Sequence, residues 1–467
     1  MSKVQFGQDS AQAKQLGHPD SSNPFKTRPT AAPLHPTTPL SRVIGVRLPG
    51  RPDLWDVFIS AGRIASVEKH DPAAPRLSHL SGILDASEQL LAPSLCHAHV
   101  HLDKCFLLQD PKYSDLEIVE GDFQEAMTLT GKAKARFEEG DLLRRGRRLI
   151  EESIKHGVTA MRAFVEVDND VHFKCLEAAL NLKKDFERTC TVQICVFAQL
   201  PLFSGEGGGD AVRNLLSEAA KREGVDVLGS TPYVESDKSR MGMNVQWIST
   251  LALDNEKFLD LHMDYHLDKS KEPFIWDALE LIKETHWLDR NGKGITMGHC
   301  TRLTQFEKAE WQRLKQTVGD LPVSFVGLPT SDLFMMRTEN NVRGTLHVPK
   351  MIQEHGFQAA FSVNNIGNAF TPQGNCDPLT VASLGVGIYQ AGTKKDTEIL
   401  YQCVSTRAKA VIGLGKSTLD LKPGDPADFI IFGSAGADWK NRKSVAEVVY
   451  DAGSARTTVK DGRITSQ

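Results

Sequence analysis

The sequence predicts an α/β protein, a (β/α)8 TIM barrel with a small β-sandwich domain formed by the N- and C-terminal segments. Strand-like and helix-like segments alternate through the middle of the chain and supply eight strand candidates. Segments with a β pattern flank that region on both sides. A chain of 467 residues is also too long for one ordinary core and is typical of a barrel plus a smaller domain.

The predicted domain boundaries follow from composition and hydrophobic pattern. Residues 1–40 are expected to form a flexible Pro-rich tail, because prolines mixed with polar residues leave little apolar surface to bury. Residues 41–90 and 406–467 together are expected to form the composite β-sandwich domain. The barrel is expected over residues 91–405, with an active site at the C-terminal ends of its strands.

The individual elements are predicted from the spacing of apolar residues. In the terminal segments, strands are expected at 43–46, 56–60, 63–67, 83–86, 427–432 and 445–450, with a final hairpin at 457–464. The barrel strands are expected at 90–101, 158–165, 191–197, 225–229, 258–262, 295–299, 323–327 and 359–363. Helices are expected at 141–156, 171–187, 209–222, 274–284, 303–317 and 346–355.

The composition excludes several classes of function. A formal net charge of −4 provides no electrostatic reason to expect nucleic acid as a partner. The sequence has neither an apolar run long enough to span a bilayer nor a secretory signal. Its eight cysteines are scattered, which favours reduced thiols in a cytoplasmic protein. We expect a small-molecule substrate and leave open a homo-oligomeric assembly.

Alternating histidines end the first barrel strand. Alternate side chains of a strand share one face, so His99 and His101 point into one cavity, with His97 one step deeper. Neutral imidazoles suit a divalent ion such as zinc or iron. Taken alone, the pattern also fits a polar strand end whose histidines only form hydrogen bonds, so the interpretation depends on partners from elsewhere in the fold.

Such partners follow the other predicted strands. His262 ends the fifth strand, His299 ends the sixth, and Asn364 and Asn365 end the eighth. Because these strand ends meet at one mouth of a barrel, the pattern favours a metal site over separate structural histidines. Three or four protein ligands with a position left for water are typical of a hydrolytic metal centre.

With histidines at these strand ends, the sequence resembles the amidohydrolase superfamily, and most closely its cytosine deaminase-like branch. The resemblance covers roughly residues 42–465. It rests on the segments Arg162-Ala-Phe-Val-Glu-Val, Phe197-Ala-Gln, Asp260-Leu-His-Met-Asp and Gly298-His-Cys-Thr, and on His-Val-His-Leu-Asp at 99–103 with Lys104 after it.

The resemblance implies a set of site residues. His99, His101 and His262 would bind one divalent ion, zinc or iron. His299 would lie close to it and hydrogen-bond the attacking water or the substrate. Gln199 would contact the substrate ring.

Two positions depart from the pattern of that family. Tyr265 stands where the family has a proton-shuttling glutamate, and Asn364 stands where it has a metal-binding aspartate that accepts the proton of water. A neutral amide can bind a metal through its oxygen but cannot take up a proton at neutral pH. Asp264, His266 and Tyr265 itself are the candidates that replace the missing acid–base groups.

Further residues are expected near the substrate. Asn365 is a candidate substrate contact. Asp332, after the seventh strand, is a candidate for holding a substrate N–H, although a solvated loop carboxylate fits equally well. The turn-rich segment 370–378 is expected to act as a lid.

The function we predict is metal-dependent hydrolysis of a carbon–nitrogen bond, by deamination of a cyclic amidine or opening of a cyclic amide. Two alternatives remain open because Tyr265 and Asn364 replace the usual carboxylates. The same site could perform another class of reaction, such as decarboxylation or C–C hydrolysis. The chain could also be a catalytically inactive amidohydrolase-like binding protein.

Overall fold

The computed structural model describes residues 39–73, 81–336, 342–434 and 438–467. Within them, the predicted eight-stranded parallel barrel is confirmed. Numbered along the chain, the strands of the terminal segments are β1 (Arg42–Arg47), β2 (Leu54–Ser60), β3 (Arg63–Lys69), β4 (Ile83–Asp85), β5 (Leu90–Pro93), β14 (Phe429–Phe432), β15 (Arg456–Lys460) and β16 (Arg463–Ser466). The barrel strands are β6 (Leu95–His101), β7 (Val158–Glu166), β8 (Thr191–Ala198), β9 (Val225–Ser230), β10 (Phe258–Met263), β11 (Ile295–His299), β12 (Val323–Gly327) and β13 (Ala359–Phe361).

The barrel closes at the level of the first histidines. Neighbouring strands pair in the order β13-β12-β11-β10-β9-β8-β7-β6. The seam is completed by a parallel bridge between Val100 and Asn364. The Asn364 N–H donates to the His99 carbonyl at 3.2 Å, and the His101 N–H donates to the Asn364 carbonyl at 2.8 Å. Barrel closure therefore places Asn364 beside the two histidines of β6.

Helices follow most barrel strands. Numbered along the chain, they are α1 (Phe123–Lys134), α2 (Glu139–Lys155), α3 (Lys174–Asp185), α4 (Asp210–Ala220), α5 (Lys238–Asp254), α6 (Ile275–Glu284), α7 (Lys308–Val318), α8 (Pro329–Met335), α9 (Val348–Lys350), α10 (Pro378–Ile388), α11 (Lys394–Cys403), α12 (Thr406–Val411) and α13 (Val445–Tyr450). The helix predicted at 346–355 is the short α9 continued by a π-helical turn, Met351–His355. None of the described helices is long and apolar enough to cross a bilayer.

The strands of the terminal segments form a separate mixed sheet. Its order is β16-β15-β14-β5-β1-β2-β3, and β4 pairs with β1. The buried side chains of this sheet have their own apolar cluster, which includes Val43, Val57, Ile64 and Phe429. The predicted tail lies outside the described residues except at its end, where the Leu40 N–H donates to the Gly462 carbonyl at 2.8 Å.

The strand predicted over residues 90–101 is wrong in one respect, because the structure divides it into two strands. β5 pairs with β14 and β1 in the terminal sheet, whereas β6 begins the barrel. Between them, the Ser94 N–H donates to the Asp428 carbonyl and the Ser94 carbonyl accepts from the Ser405 hydroxyl. Ser94 thus links the two sheets, and Pro93 before it has no N–H with which to continue a ladder.

The strand predicted at 445–450 is also wrong, because these residues form α13. Ser444 caps the helix by accepting a hydrogen bond from the Glu447 N–H. The buried residues are Val445, Val448 and Val449, which have the spacing of one helix face. The β-branched composition suggested a strand, but the burial of this face and the serine cap determine a helix.

Candidate active site

Histidines from three barrel strands meet at the C-terminal mouth of the barrel. Potential ligand atoms of His99, His262 and His299 all lie within 4.8 Å of one another. The Nε2 atoms of His101 and His262 are 3.4 Å apart. The structure therefore brings together the four histidines that the sequence singled out at the strand ends.

The backbone turns sharply where these strands end. Asp264, His299, Cys300 and Asn364 all have positive φ angles, at 44°, 63°, 49° and 61°. Such conformations are costly for residues with side chains and tend to occur at functional sites. Here they occur at His299 and Asn364 themselves and two residues after His262, where the chain leaves the barrel wall.

Several nitrogen and oxygen atoms at this mouth are buried without a hydrogen-bond partner among the described residues. They are both ring nitrogens of His99, Nδ1 of His101, Nδ1 of His262 and Oδ1 of Asn364. Burial is the main cause that holds the pKa values of His99, His101 and His262 well below their usual range. Neutral imidazoles with free lone pairs, beside an amide oxygen, fit the donor set of a divalent metal ion.

Asn364 has a fixed orientation. Its Nδ2 donates to the Ser331 hydroxyl at 2.8 Å, so the amide nitrogen is engaged on that side. Its Oδ1 is the buried atom that has no partner. The side chain therefore directs its oxygen rather than its nitrogen to the buried site.

Asp332 lies behind His299 and is fully buried. One carboxylate oxygen accepts from His299 Nδ1 at 2.7 Å, and the other accepts from the Leu328 N–H and the Thr345 hydroxyl at 3.2 and 2.9 Å. The carboxylate is thus engaged by three protein groups. This arrangement orients the His299 ring and leaves its Nε2 directed away from Asp332.

Two of the predicted proton carriers point elsewhere. The carboxylate of Asp264 accepts from the N–H groups of Phe274 and Ile275 at 2.8 and 3.0 Å, where α6 begins. Burial raises the pKa of Asp264 to about 6. His266 accepts from the Asp268 N–H through Nδ1 at 3.2 Å. Neither Asp264 nor His266 is among the described residues that line the cavity.

Tyr265 does face the site. The centroid of its ring is 4.0 Å from that of His299. Burial raises the pKa of the Tyr265 phenol well above its usual value, so the hydroxyl remains protonated and acts as a donor.

The strand ends surround a narrow cavity at this mouth of the barrel. The described residues that line it are His101, Lys104, Phe123, Gln199, Tyr233, His262, Tyr265, His299, Asn364, Asn365 and Phe370. The ring centroid of Phe123 lies 6.4, 6.0 and 5.8 Å from those of Tyr233, Tyr265 and Phe370. One wall of the cavity is therefore aromatic, and the predicted contacts Gln199 and Asn365 belong to the lining.

Three residues that line the cavity, Lys104, Phe123 and Tyr233, have no role predicted from the sequence. Lys104 directly follows the His-x-His-x-Asp motif, which is a signal that could have identified it. Phe123 begins α1, a helix that was not predicted, and Tyr233 follows β9. No local pattern marks these two aromatic residues as cavity-lining.

Residues 90–465 match the family model of the Amidohydrolase family. This chain belongs to the amidohydrolase family. Membership confirms the predicted superfamily and the predicted class of enzyme, a metal-dependent hydrolase of carbon–nitrogen bonds other than peptide bonds. The donor set described above is consistent with the divalent metal that this family uses.

Individual relatives of this amidohydrolase are distant. The N-isopropylammelide isopropyl amidohydrolase of Pseudomonas sp. strain ADP is 22% identical over 424 residues, which cover 88% of this chain and 93% of that protein. The 5-methylcytosine deaminase of Klebsiella pneumoniae, solved with 5-fluorocytosine, has a TM-score of 0.77 at 22% identity and covers 91% of this chain and 97% of its own. An N-isopropylammelide isopropylaminohydrolase from Burkholderia multivorans has a TM-score of 0.72 at 20% identity. The match covers 92% of this chain and 99% of that protein's chain. These likenesses establish the shared fold.

Proposed function

We propose that this amidohydrolase hydrolyses a carbon–nitrogen bond of a small planar nitrogen heterocycle, by deamination of a cyclic amidine or opening of a cyclic amide. The proposal is carried by one observation, the convergence of unpartnered imidazole nitrogens and the Asn364 oxygen at a single buried site. The substrates named for the relatives, 5-methylcytosine and N-isopropylammelide, are heterocycles of this kind. A cavity with an aromatic wall and two side-chain amides suits such a ring.

His99, His101, His262 and Asn364 would hold the metal. A divalent ion bound there supplies a Lewis acid that lowers the pKa of water, and imidazole ligands suit both zinc and iron. The remaining steps of the reaction depend on what the side chains of this protein do with protons and with the substrate ring.

His299 is the group that accepts the proton of the attacking water. Its Nδ1–H is held by Asp332, so Nε2 carries the lone pair. Protonation of Nε2 produces an imidazolium, which the buried carboxylate 2.7 Å from Nδ1 stabilises. The His299–Asp332 pair thereby supplies the base that Asn364 cannot provide.

Tyr265 donates a hydrogen bond to the leaving nitrogen and its phenol remains protonated. Its ring lies against His299, so the proton that His299 takes up from water passes to that same leaving nitrogen. Gln199 and Asn365 orient the ring by hydrogen bonds. Phe123, Tyr233 and Phe370 cover its faces and exclude water.

The test combines metal analysis with turnover. Protein purified without chelator and reloaded with zinc or iron should contain about one ion per chain and should release ammonia or an amine from a panel of pyrimidines and triazines. His262→Ala should lose both properties. His286→Ala, a change of an exposed histidine whose side chain is 74% accessible, is the matched control and should lose neither.

Other results would replace the proposal with one of the alternatives. Metal binding with turnover only of substrates that lack a reacting C–N bond would indicate another class of reaction at the same site. Tight ligand binding with no metal after loading would indicate a binding protein.

A further inference from the structure

We infer that the substrate of this site is an anionic heterocycle whose negative charge is bound by Lys104. The inference rests on the proposed function and specifies its substrate class. The class consists of planar rings that carry an acidic ring N–H or a ring carboxylate. Neutral and cationic amidines are excluded as preferred ligands.

The position of Lys104 is the first support. The residue is 1% exposed and its ammonium group lies against the cavity. Lys104 Nζ donates to Glu166 Oε1 at 2.6 Å and, at a longer 3.5 Å, to Gln199 Oε1. It also lies 5.3 Å from the centroid of the Phe370 ring. Since an ammonium group has three N–H bonds, one of them has no acceptor among the described residues.

Lys104 shares its carboxylate partner, Glu166, with a second ammonium group. Lys134 Nζ donates to the other carboxylate oxygen of Glu166 at 2.5 Å and also contacts Asp168. Asp103, the remaining carboxylate of this cluster, accepts the Glu166 N–H at 2.7 Å. All three carboxylates lie behind Lys104, and none of them lines the cavity.

The absence of acidic groups from the cavity is the second support. Among the described residues that line it, no side chain is a carboxylate, and Lys104 supplies an ammonium group. A metal ion bound by three imidazoles and an amide keeps its full double positive charge, because none of these ligands is anionic.

An anion is therefore the ligand that fits this site best. In a buried cavity the attraction between opposite charges is several times stronger than in water. A ligand with delocalised negative charge can accept from the free Lys104 N–H while its flat face packs on Phe370 and Tyr233.

The experiment measures ligand affinity by calorimetry on metal-free protein, so that the ammonium of Lys104 acts without the metal. Two matched pairs of probes are used at pH 7.5, barbiturate against uracil and orotate against 6-methyluracil. Each pair has similar size and shape but differs by one negative charge. We expect the anion of each pair to bind at least about ten-fold more tightly than its neutral partner.

Three variants locate the source of this preference. Lys104→Met should reduce the difference in affinity within each pair of probes to about two-fold. Lys104→Arg, which keeps the charge, should retain most of that difference. Lys134→Met is the matched control, because it removes the other ammonium partner of Glu166 but does not line the cavity, and it should retain the preference. Should Lys104→Met fail to fold, Lys104→Gln replaces it.

The inference is overturned if wild-type protein binds the neutral probes as tightly as the anions, binds none of the four at millimolar concentration, or keeps its preference in a folded Lys104→Met or Lys104→Gln variant. Its failure is distinct from failure of the proposed function. An anion preference without any C–N hydrolysis would refute the proposed function alone. Hydrolysis of neutral heterocycles without an anion preference would refute the inference alone.

Discussion

At the scale of single residues, the proposed function assigns the acid–base chemistry to a residue other than Asn364. An amide keeps a ligand oxygen but provides no base. The compensating feature is the buried contact between His299 Nδ1 and Asp332. In the proposed function, metal binding and proton transfer therefore belong to different side chains.

Replacing Asp332 tests that assignment. Asp332→Asn keeps an acceptor for the His299 ring but removes the charge that stabilises its protonated form, so kcat should fall by about 10²–10⁴-fold. KM and metal content should remain near wild type, because Asp332 does not line the cavity. The measurements are steady-state kinetics on a panel substrate and elemental analysis. An unchanged kcat would show that His299 is not the base.

Placing a carboxylate at position 364 tests whether this residue is a metal ligand. Asn364→Asp should slow the loss of metal to a chelator by roughly ten-fold, because an anionic oxygen binds a divalent ion more strongly than an amide oxygen. Asn365→Asp is the matched control, since the Asn365 side chain is engaged by Asn368 at 2.8 Å. Equal effects of the two variants would mean that Asn364 is not a ligand.

At the scale of elements, the carboxylate of Asp56 on β2 holds the irregular part of β1 in the terminal sheet. The register between β1 and β2 shifts between Val43 and Val46, where Gly45 has a φ of 71°. Asp56 Oδ1 accepts the Gly45 N–H at 2.8 Å, and a salt bridge with Arg42 engages Oδ2. The β-bulge in β1 is thus held by Asp56 on the neighbouring strand.

The pH dependence of stability should report this contact. Burial by itself raises the pKa of Asp56, but hydrogen bonds from Arg42, the Gly45 N–H and His70 together hold it below 3.8. Because the pKa of Asp56 is lower in the folded than in the unfolded state, these contacts stabilise the folded protein above about pH 4. This stabilisation is lost as the pH falls through the folded pKa. Asp56→Asn should therefore have a lower urea midpoint than wild type at pH 7, and this difference should shrink below pH 4. A difference that stays constant into the acid range would contradict the assignment.

At the scale of the whole molecule, one buried ion pair joins the terminal sheet to the barrel. Arg456, on β15, forms two hydrogen bonds with Asp377, at 3.0 and 2.6 Å. Asp377 in turn caps the start of α10 by accepting the Leu379 N–H at 3.0 Å. The side chains of Arg456 and Asp377 are only 3% and 6% exposed. The segment between Asn364 and α10, which carries Phe370, is therefore anchored to the opposite end of the chain.

Breaking this pair should destabilise the protein as a whole. Arg456→Met leaves the Asp377 carboxylate buried without its cationic partner, which typically lowers the free energy of unfolding by about 3–5 kcal/mol. Denaturant unfolding followed by circular dichroism measures the change. Lys69→Met is the control, because the Lys69–Asp53 pair is exposed and should contribute no more than about 1 kcal/mol. Similar effects of both variants would indicate that burial of the Arg456–Asp377 pair is not decisive.

The sequence by itself determined the barrel and its histidines. Strand positions such as 295–299 and 323–327 follow from local apolar runs, and these runs coincide with β11 and β12. The alternation of His99 and His101 places both on one face of a strand whatever surrounds it. Hairpins are equally local, as at Ala61-Gly62, where both residues adopt the positive φ that a tight turn requires.

Only the tertiary structure decided what each polar group at the mouth contacts. Asp264 adjoins Tyr265 in sequence, yet it caps α6, while Tyr265 lies against His299. For Asp332 the sequence left open a substrate contact or a solvated loop carboxylate, whereas in the structure it is buried against His299. Phe123 and Lys104 reach the cavity through α1 and the end of β6. The physical reason is that strand periodicity depends on neighbours in sequence, whereas beyond a strand end the direction of a side chain depends on partners that only the folded barrel brings within hydrogen-bonding distance.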